Sequence, residues 1–498
     1  MPLNEAPRPQ PSLIPRPETM HLHAGHFALG ADVGVRAPAE LADLAELARE
    51  TLGLTGSGSG SGSGTGIELA LVEDRSLGAE GYRLRVAEDG VRAEAAEAAG
   101  LRWAVQSLRQ LARDRRLPCL EILDRPRFAW RGSLLDVARW CHPLPFVHRY
   151  VDLLALHKLN TLHLHLTDDQ GWRFEVTRYP RLTEVGGFRT GSPVGHARDG
   201  VTDDVPHGGF YTQAELRDLV AYAARRGVRI MPEIDAPGHM QAAISAYPEL
   251  GNDPARRLPV RREWGISRHV LNCAEPTVEF VHHVLDELTD VFPFEYVHLG
   301  GDEVPPDEWL ASADAARRAL ADGLAGPGHL HGWWSRRLAG HLAGLGRRAA
   351  VWDELIEHGV PEGAAVFAWQ GEDRVKLARA AGLDLVAAPQ EYTYLDWAEA
   401  DAPGEPLAIR TGLPLSRVYG YEPPEAALGV QGQLWSEYLP TTDLVEWRAF
   451  PRLAAIAEIG WSPAGRRDLA DFRDRLTGHL PLLDALGVNY RPQHDLSA

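Results

Sequence analysis

The chain has 498 residues, and its 69 acidic against 51 basic side chains give a formal charge of −18. A surplus of that sign repels phosphate backbones and anionic headgroups, which disfavours nucleic-acid and membrane partners, and no run reaches the roughly 18 apolar residues of a spanning helix. The three cysteines, Cys119, Cys141 and Cys273, contain no C-x-x-C pair and cannot build a disulfide framework.

At the start, Met1 to Pro7 has no cationic stretch leading into an apolar segment, so a cytoplasmic location is expected unless a leader was trimmed. Alternating or apolar segments at Ile67–Val72 and Tyr82–Val86 predict strands, and the apolar spacing from Leu101 to Leu111 predicts a helix. Between residues 56 and 64 the chain reads Gly-Ser-Gly-Ser-Gly-Ser-Gly-Ser-Gly, a flexible surface loop by composition. It lacks the Gly-Lys-Ser/Thr of a phosphate loop. This first part, residues 1–125, reads as a small α+β domain, with Pro118, Pro126 and Pro143 punctuating its exit.

From 126 to 498, short apolar segments alternate with longer helical ones, the pattern of a parallel sheet with crossover helices. The predicted strands are Gly132–Val137, Thr161–Leu166, Arg229–Glu233, Tyr296–Gly300, Ala349–Trp352, Ala365–Trp369, Leu383–Ala387 and Val430–Leu434. Eight strands make a closed (β/α)8 barrel, an α/β fold whose active site lies at the carboxyl ends of its strands.

Polar residues gather at those ends. In Thr161 to Leu166 a two-residue period sends His163 and His165 to one face and the leucines to the other. Such a pair suits either interior hydrogen bonds or a metal site of the amidohydrolase kind, although the Asp168-Asp169-Gln170-Gly171-Trp172 that follows has no place in the latter. Glu233, Asp235 and His239 crowd the mouth of the next strand.

The strongest signal is Gly300-Gly301-Asp302-Glu303 at the end of the fourth strand. Two small residues permit close backbone approach to a ligand, and adjacent carboxylates on extended chain diverge. An ordinary retaining glycosidase needs two carboxyl groups about 5–5.5 Å apart converging on one carbon. Asp302 and Glu303 fit a different division of labour, in which a 2-acetamido group of the substrate attacks C1, one acid protonates the leaving oxygen and one carboxylate orients the amide. Trp352, Trp369 and Trp435 at three strand ends, with Tyr394 after a fourth, offer aromatic walls for an acetamide methyl and a sugar face.

These blocks resemble glycoside hydrolase family 20, the β-N-acetylhexosaminidases, over nearly the whole length. The similar segments are Asp136 to Arg139, His163 to Trp172, Pro232 to His239, His298 to Glu303, Tyr394 to Asp396, Leu434 to Glu437 and Ala449 to Pro463, together with Gly81 to Leu84 and Gln106 to Leu111 in the first part. The resemblance implies an exo-acting retaining enzyme that removes terminal β-linked N-acetylglucosamine or N-acetylgalactosamine from an oligosaccharide or glycoconjugate. It implies Glu303 as general acid/base and Asp302 as the group that polarises the acetamide. Tyr394 is expected on the acetamide carbonyl, with Trp352, Trp369 and Trp435 around it. Arg139, Asp396 and Glu437 are expected on the sugar hydroxyls, and Asp168 with His239 as a supporting pair. No cofactor and no metal are implied. Trp140-Cys141, where relatives commonly have His-Phe, and the loop Gly191 to Gly209 depart from the pattern. A metal-dependent amidohydrolase, a disaccharide-releasing barrel glycosidase and a non-catalytic sugar-binding protein are the rival readings.

Overall fold

A computed structural model describes residues 11–56 and 66–493; apart from Gly56, the expected Gly-Ser loop lies outside the described residues. Residues 19–124 build one six-stranded sheet in the spatial order Thr19–Ala28, Arg116–Asp124, Tyr82–Ala87, Gly90–Ala95, Gly66–Leu71 and Gly34–Arg36. In Tyr82–Ala87 the strict alternation puts Tyr82, Leu84 and Val86 inside and Arg83 and Arg85 outside, as a sheet covered on one face requires. Helices Ala42–Leu52 and Ala98–Leu111 complete that core.

Two details differ from expectation. Pro118, expected to mark an exit, sits inside the strand Arg116–Asp124. It pairs with His26 where the register beside Thr19–Ala28 shifts, a place where a missing N–H is tolerated. The helix expected from Leu101 begins at Ala98.

The remaining chain closes an eight-stranded, all-parallel barrel. Its strands, Trp130–Asp136, Thr161–His165, Arg229–Glu233, Tyr296–His298, Arg348–Trp352, Ala365–Ala368, Asp384–Ala387 and Gly429–Leu434, stand in chain order around the axis, and all eight expected segments are present. They are almost wholly buried, since helices cover them outside and side chains fill them inside. The lower interior is apolar: Trp130 packs against Phe294, Tyr296 and Phe367, with Leu134, Met231 and Val386 in the same cluster. Leu162, Leu164 and Leu166 join the outer core with the helices, as their alternation demanded.

A buried polar seam joins sheet to barrel. Asp124 accepts hydrogen bonds from Tyr82 Oη at 2.8 Å, Lys158 Nζ at 2.7 Å and Trp461 Nε1 at 2.8 Å, and Glu80 pairs with Arg131. With several donors each, these buried charges are compensated. The three cysteines are unpaired, and among the described residues no helix is long and apolar enough to cross a membrane.

Candidate active site

The barrel's upper interior is organised around Glu233. Register aligns Glu233 with His165 on one side and His298 on the other, and the inward face delivers His163 to the same place. Glu233 Oε2 meets His165 Nδ1 and, at 3.1 Å, His163 Nε2, while Oε1 meets His298 Nδ1 at 2.8 Å and accepts from Trp352 Nε1 at 2.9 Å. Burial opposes ionisation of this carboxyl, but the three imidazoles outweigh it and hold Glu233 well below the usual range. Burial likewise opposes the charge on His165, yet Glu233 and Asp168 push it up to about 10, whereas burial takes His163 down to about 4.

Asp168 carries the connection towards the mouth. Its Oδ2 lies 2.7 Å from Arg139 Nη2 and 3.1 Å from His165 Nε2, and its Oδ1 lies 3.2 Å from His239 Nδ1. The other ring nitrogen of His239 faces both members of the adjacent acidic pair, at 3.8 Å from Asp302 Oδ2 and 3.6 Å from Glu303 Oε2. Burial disfavours the imidazolium, but Asp168, Asp235 and Asp302 raise His239 well above its ordinary value.

The Gly300-Gly301 step makes this convergence possible, although its close approach is to Asp235 rather than to a ligand. Gly300 has φ +66° and a Cβ there would lie 1.8 Å from Asp235 Oδ1; Gly301 N donates to the same oxygen at 3.0 Å. Asp235 and Asp302 share a hydrogen bond, and burial followed by the Asp302 charge raises Asp235 well above the usual range. Glu303 and His239 both adopt left-handed backbone, φ +49° and +50°, a costly conformation for residues with a Cβ that clusters at functional sites.

Above these groups opens a cavity of about 560 Å³, within the roughly 300–1,000 Å³ range of small-molecule sites. Arg139, Asp302, Glu303, Trp369, Tyr394, Asp396, Trp435 and Glu437 all line it. Trp369 and Tyr394 stack 5.9 Å apart at 22°, and Trp435 turns towards Tyr394 at 6.4 Å. Asp396 Oδ1 is buried without a hydrogen-bond partner. Burial, then the neighbouring Glu437, raises Asp396 well above the usual range; burial raises Glu437 too, partly offset by Arg139. Arg139 is itself fixed by Asp136 at 3.1 Å and lies 5.2 Å from the Trp435 ring centre.

Three of the expected site residues stand behind the lining. Asp168 and His239 are buried beneath Asp302 and Glu303. Trp352 is fully buried, with its ring 5.9 Å from Trp435; as the last residue of its strand it points into the barrel, and its N–H is spent on Glu233. Conversely, Gln370, Gln390, Trp397, Arg374, Ile409 and Arg410 line the cavity unexpected. Trp397 directly follows Asp396 and Gln370 follows Trp369, the only sequence signal they carried.

The residue types a metal needs also gather here. His163, Glu233 and His298 bring potential ligand atoms within 4.8 Å of one another, as do Asp235, His239 and Asp302. In the first group Glu233 already accepts the Trp352 indole N–H, and in the second burial and the Asp302 charge disfavour the anionic form of Asp235.

Comparison with known proteins agrees with this geometry. The model for the glycosyl hydrolase family 20 catalytic domain matches residues 128–464, and that for domain 2 of the same family matches residues 10–125. A β-hexosaminidase of Porphyromonas gingivalis is 37% identical over 82% of this chain, which spans 54% of that protein, or about half its length. A β-N-acetylhexosaminidase of Cellulomonas fimi is 34% identical over 98% of this chain and 97% of its own. Among solved structures, the family 20 exo-β-N-acetylglucosaminidase of Vibrio harveyi in complex with N-acetylglucosamine superposes with a TM-score of 0.87 at 34% identity, covering 99% of this chain and 81% of that one. With both family models matched in order along the barrel and the sheet before it, the chain belongs to glycosyl hydrolase family 20.

Proposed function

We propose that this chain is an exo-acting, retaining β-N-acetylhexosaminidase that removes terminal N-acetylglucosamine or N-acetylgalactosamine through the substrate's own acetamide. The barrel, taken to start after Arg125, does the chemistry, and the sheet before it supports the barrel through the Asp124 seam. The reading is carried by one observation: Asp302 and Glu303 line one cavity walled by Trp369, Tyr394 and Trp435, with Asp302 nearly buried at 11% exposure and Glu303 reaching the open side at 32%. The two acids thus address different atoms of one sugar.

In this mechanism Glu303 gives its proton to the glycosidic oxygen as the acetamide oxygen closes on C1. Asp302 accepts the amide N–H and offsets the positive charge that grows on it. Tyr394 Oη donates to the acetamide oxygen, which keeps that group folded under the ring. The product is an oxazolinium ion and a free aglycone. Water then attacks C1 from the side the aglycone left, Glu303 takes its proton, and the configuration at C1 is retained. His239, positively charged between Asp168 and the acidic pair, balances the local charge. Arg139, Asp396 and Glu437 take sugar hydroxyls, Arg139 with a fork of donors that suits two neighbouring oxygens.

Support comes from relatives named β-hexosaminidase and β-N-acetylhexosaminidase and from the Vibrio harveyi exo-β-N-acetylglucosaminidase complex with N-acetylglucosamine. Parallel hydrolysis of aryl β-GlcNAc, β-GalNAc and β-glucoside, with and without a thiazoline mimic of the oxazoline, tests it. The acetamido sugars should turn over, release a monosaccharide and be blocked by the thiazoline, with activity indifferent to chelators. Equal hydrolysis of the glucoside, or a covalent sugar ester on a carboxylate, defeats the reading.

A further inference from the structure

Two adjacent carboxyl groups at the end of the fifth barrel strand have no task in the reaction just described. Asp353 is fully buried, and its Oδ2 accepts the backbone N–H groups of Trp369 at 3.0 Å and Gln370 at 3.1 Å. Glu354 takes the side chains of the same two residues: Trp369 Nε1 donates to Oε2 at 3.1 Å and Gln370 Nε2 to Oε1 at 2.9 Å. Four donors of one dipeptide therefore end on one pair of neighbouring acids. Trp369 and Gln370 both line the cavity.

The acids are also joined to each other by a side-chain hydrogen bond, and Asp353 Oδ1, buried and free of any N–H donor, is the atom left to accept it. Two carboxyl groups so placed cannot both ionise, and they titrate as a pair. Burial, then the charges of Asp302 and Asp353, push Glu354 up to about 9. Burial raises Asp353 to about 6, so it is the partner that ionises first.

We infer that Asp353 and Glu354 form a proton-sharing clamp that positions the Trp369–Gln370 wall of the sugar pocket, with Glu354 acting as a positioning residue only while it keeps its proton. The role in sugar binding rests on the function proposed above. Neutral Glu354 can donate one O–H to Asp353 and still accept two N–H groups. Ionised Glu354 puts a second negative charge against Asp353 and another beside Asp302, which drives the dyad apart and frees the indole. The groups facing the dyad are Asp302 after the fourth strand, Tyr394 after the seventh, and Arg374 on the helix Glu372–Ala380. Arg374 is engaged by Glu357 at 2.7 Å, so the cation closest at hand is already paired.

The test follows the indole N–H resonance of Trp369, identified by its loss in Trp369→Phe, in the full-length protein from about pH 6 to pH 11. In the unsubstituted protein it should move with a midpoint near 9. Glu354→Gln keeps a donor towards Asp353 and one acceptor but cannot ionise, so its resonance should hold still across the range and the alkaline limb of kcat/KM should shift upwards. Glu354→Ala should displace the resonance already at neutral pH and raise KM for aryl β-GlcNAc about tenfold with a smaller change in kcat, the equivalent of roughly one net hydrogen bond. An indole resonance that ignores pH in the unsubstituted protein, or a Gln variant that titrates like it, overturns the clamp. Should the Ala variant not fold, the other two titrations still decide. Failure to hydrolyse any acetamido sugar would refute the proposed function but leave the indole titration as a direct reading of the clamp.

Discussion

His239 Nε2 lies 3.6 Å from Glu303 Oε2, the closest approach of any described cation to that carboxylate among the ion pairs of the site. Burial raises the Asp302 carboxyl, and the same ring, anchored by Asp168, also faces Asp302 and offsets part of that rise. Removing it takes away a positive charge that favours ionised Asp302. In His239→Ala the acid limb of the kcat profile should therefore move to higher pH, and kcat/KM at neutral pH should fall by about 10–100-fold, below the full worth of a general acid or base. A pH–rate profile superimposable on that of the unsubstituted enzyme would remove His239 from the mechanism.

Asp302→Asn keeps shape and one acceptor oxygen but loses the charge. Because the acetamide gains positive charge only as it closes on C1, the loss should fall on kcat, by about 100–1,000-fold, the worth of one preorganised electrostatic contact. KM should change little. Steady-state kinetics on aryl β-GlcNAc measure this, and an unaltered kcat contradicts the assigned role.

Much of this site was legible because its key signals are local. The two-residue period of Thr161 to Leu166 fixed which way His163 and His165 point, and Gly300-Gly301-Asp302-Glu303 announced a turn that projects two acids. The rest depends on contacts between residues far apart in the chain. Asp353 and Glu354 look like any acidic pair until the next strand brings Trp369 and Gln370 against them, and Arg410 reaches the cavity only because its loop pairs with Ala398. Trp352 lies one layer behind the lining for a reason the sequence did contain: it stands two residues beyond the inward-facing Ala350 and shares its face, whereas Trp369 stands one residue past its strand. The strand Thr19–Ala28 gave no such cue, being an edge strand with few buried side chains.

The charge on His165 links the site to stability. Its folded value of about 10 exceeds the ordinary value of about 6.5 expected in the unfolded chain, so its contribution is complete below about pH 6.5 and is lost as pH rises towards 10. His165→Gln breaks a buried pair with Glu233 and should cost about 3–5 kcal/mol at low pH. The difference in melting temperature between the two proteins should then narrow steadily between about pH 6 and pH 10. A difference that stays constant over that interval would mean that His165 does not carry the charge.

Gly300 and Gly301 offer a graded test of how tightly the acidic pair is placed. Both have positive φ, so a Cβ at either costs about 1–2 kcal/mol of backbone strain. The neighbours differ. At Gly300 the new methyl would sit 1.8 Å from Asp235 Oδ1, the oxygen that receives Gly301 N, while at Gly301 it would sit 2.6 Å from a terminal methyl of Leu355. The Leu355 side chain can rotate away; the Asp235 carboxyl is held by the backbone and by Asp302. Gly300→Ala should therefore displace Asp302 itself and reduce kcat by about 100-fold, the penalty for misplacing a catalytic group by an ångström. Gly301→Ala should lose similar thermal stability but distinctly less kcat. If the two variants lose kcat equally, or the order is reversed, the Asp235 contact is not what holds Asp302 in place.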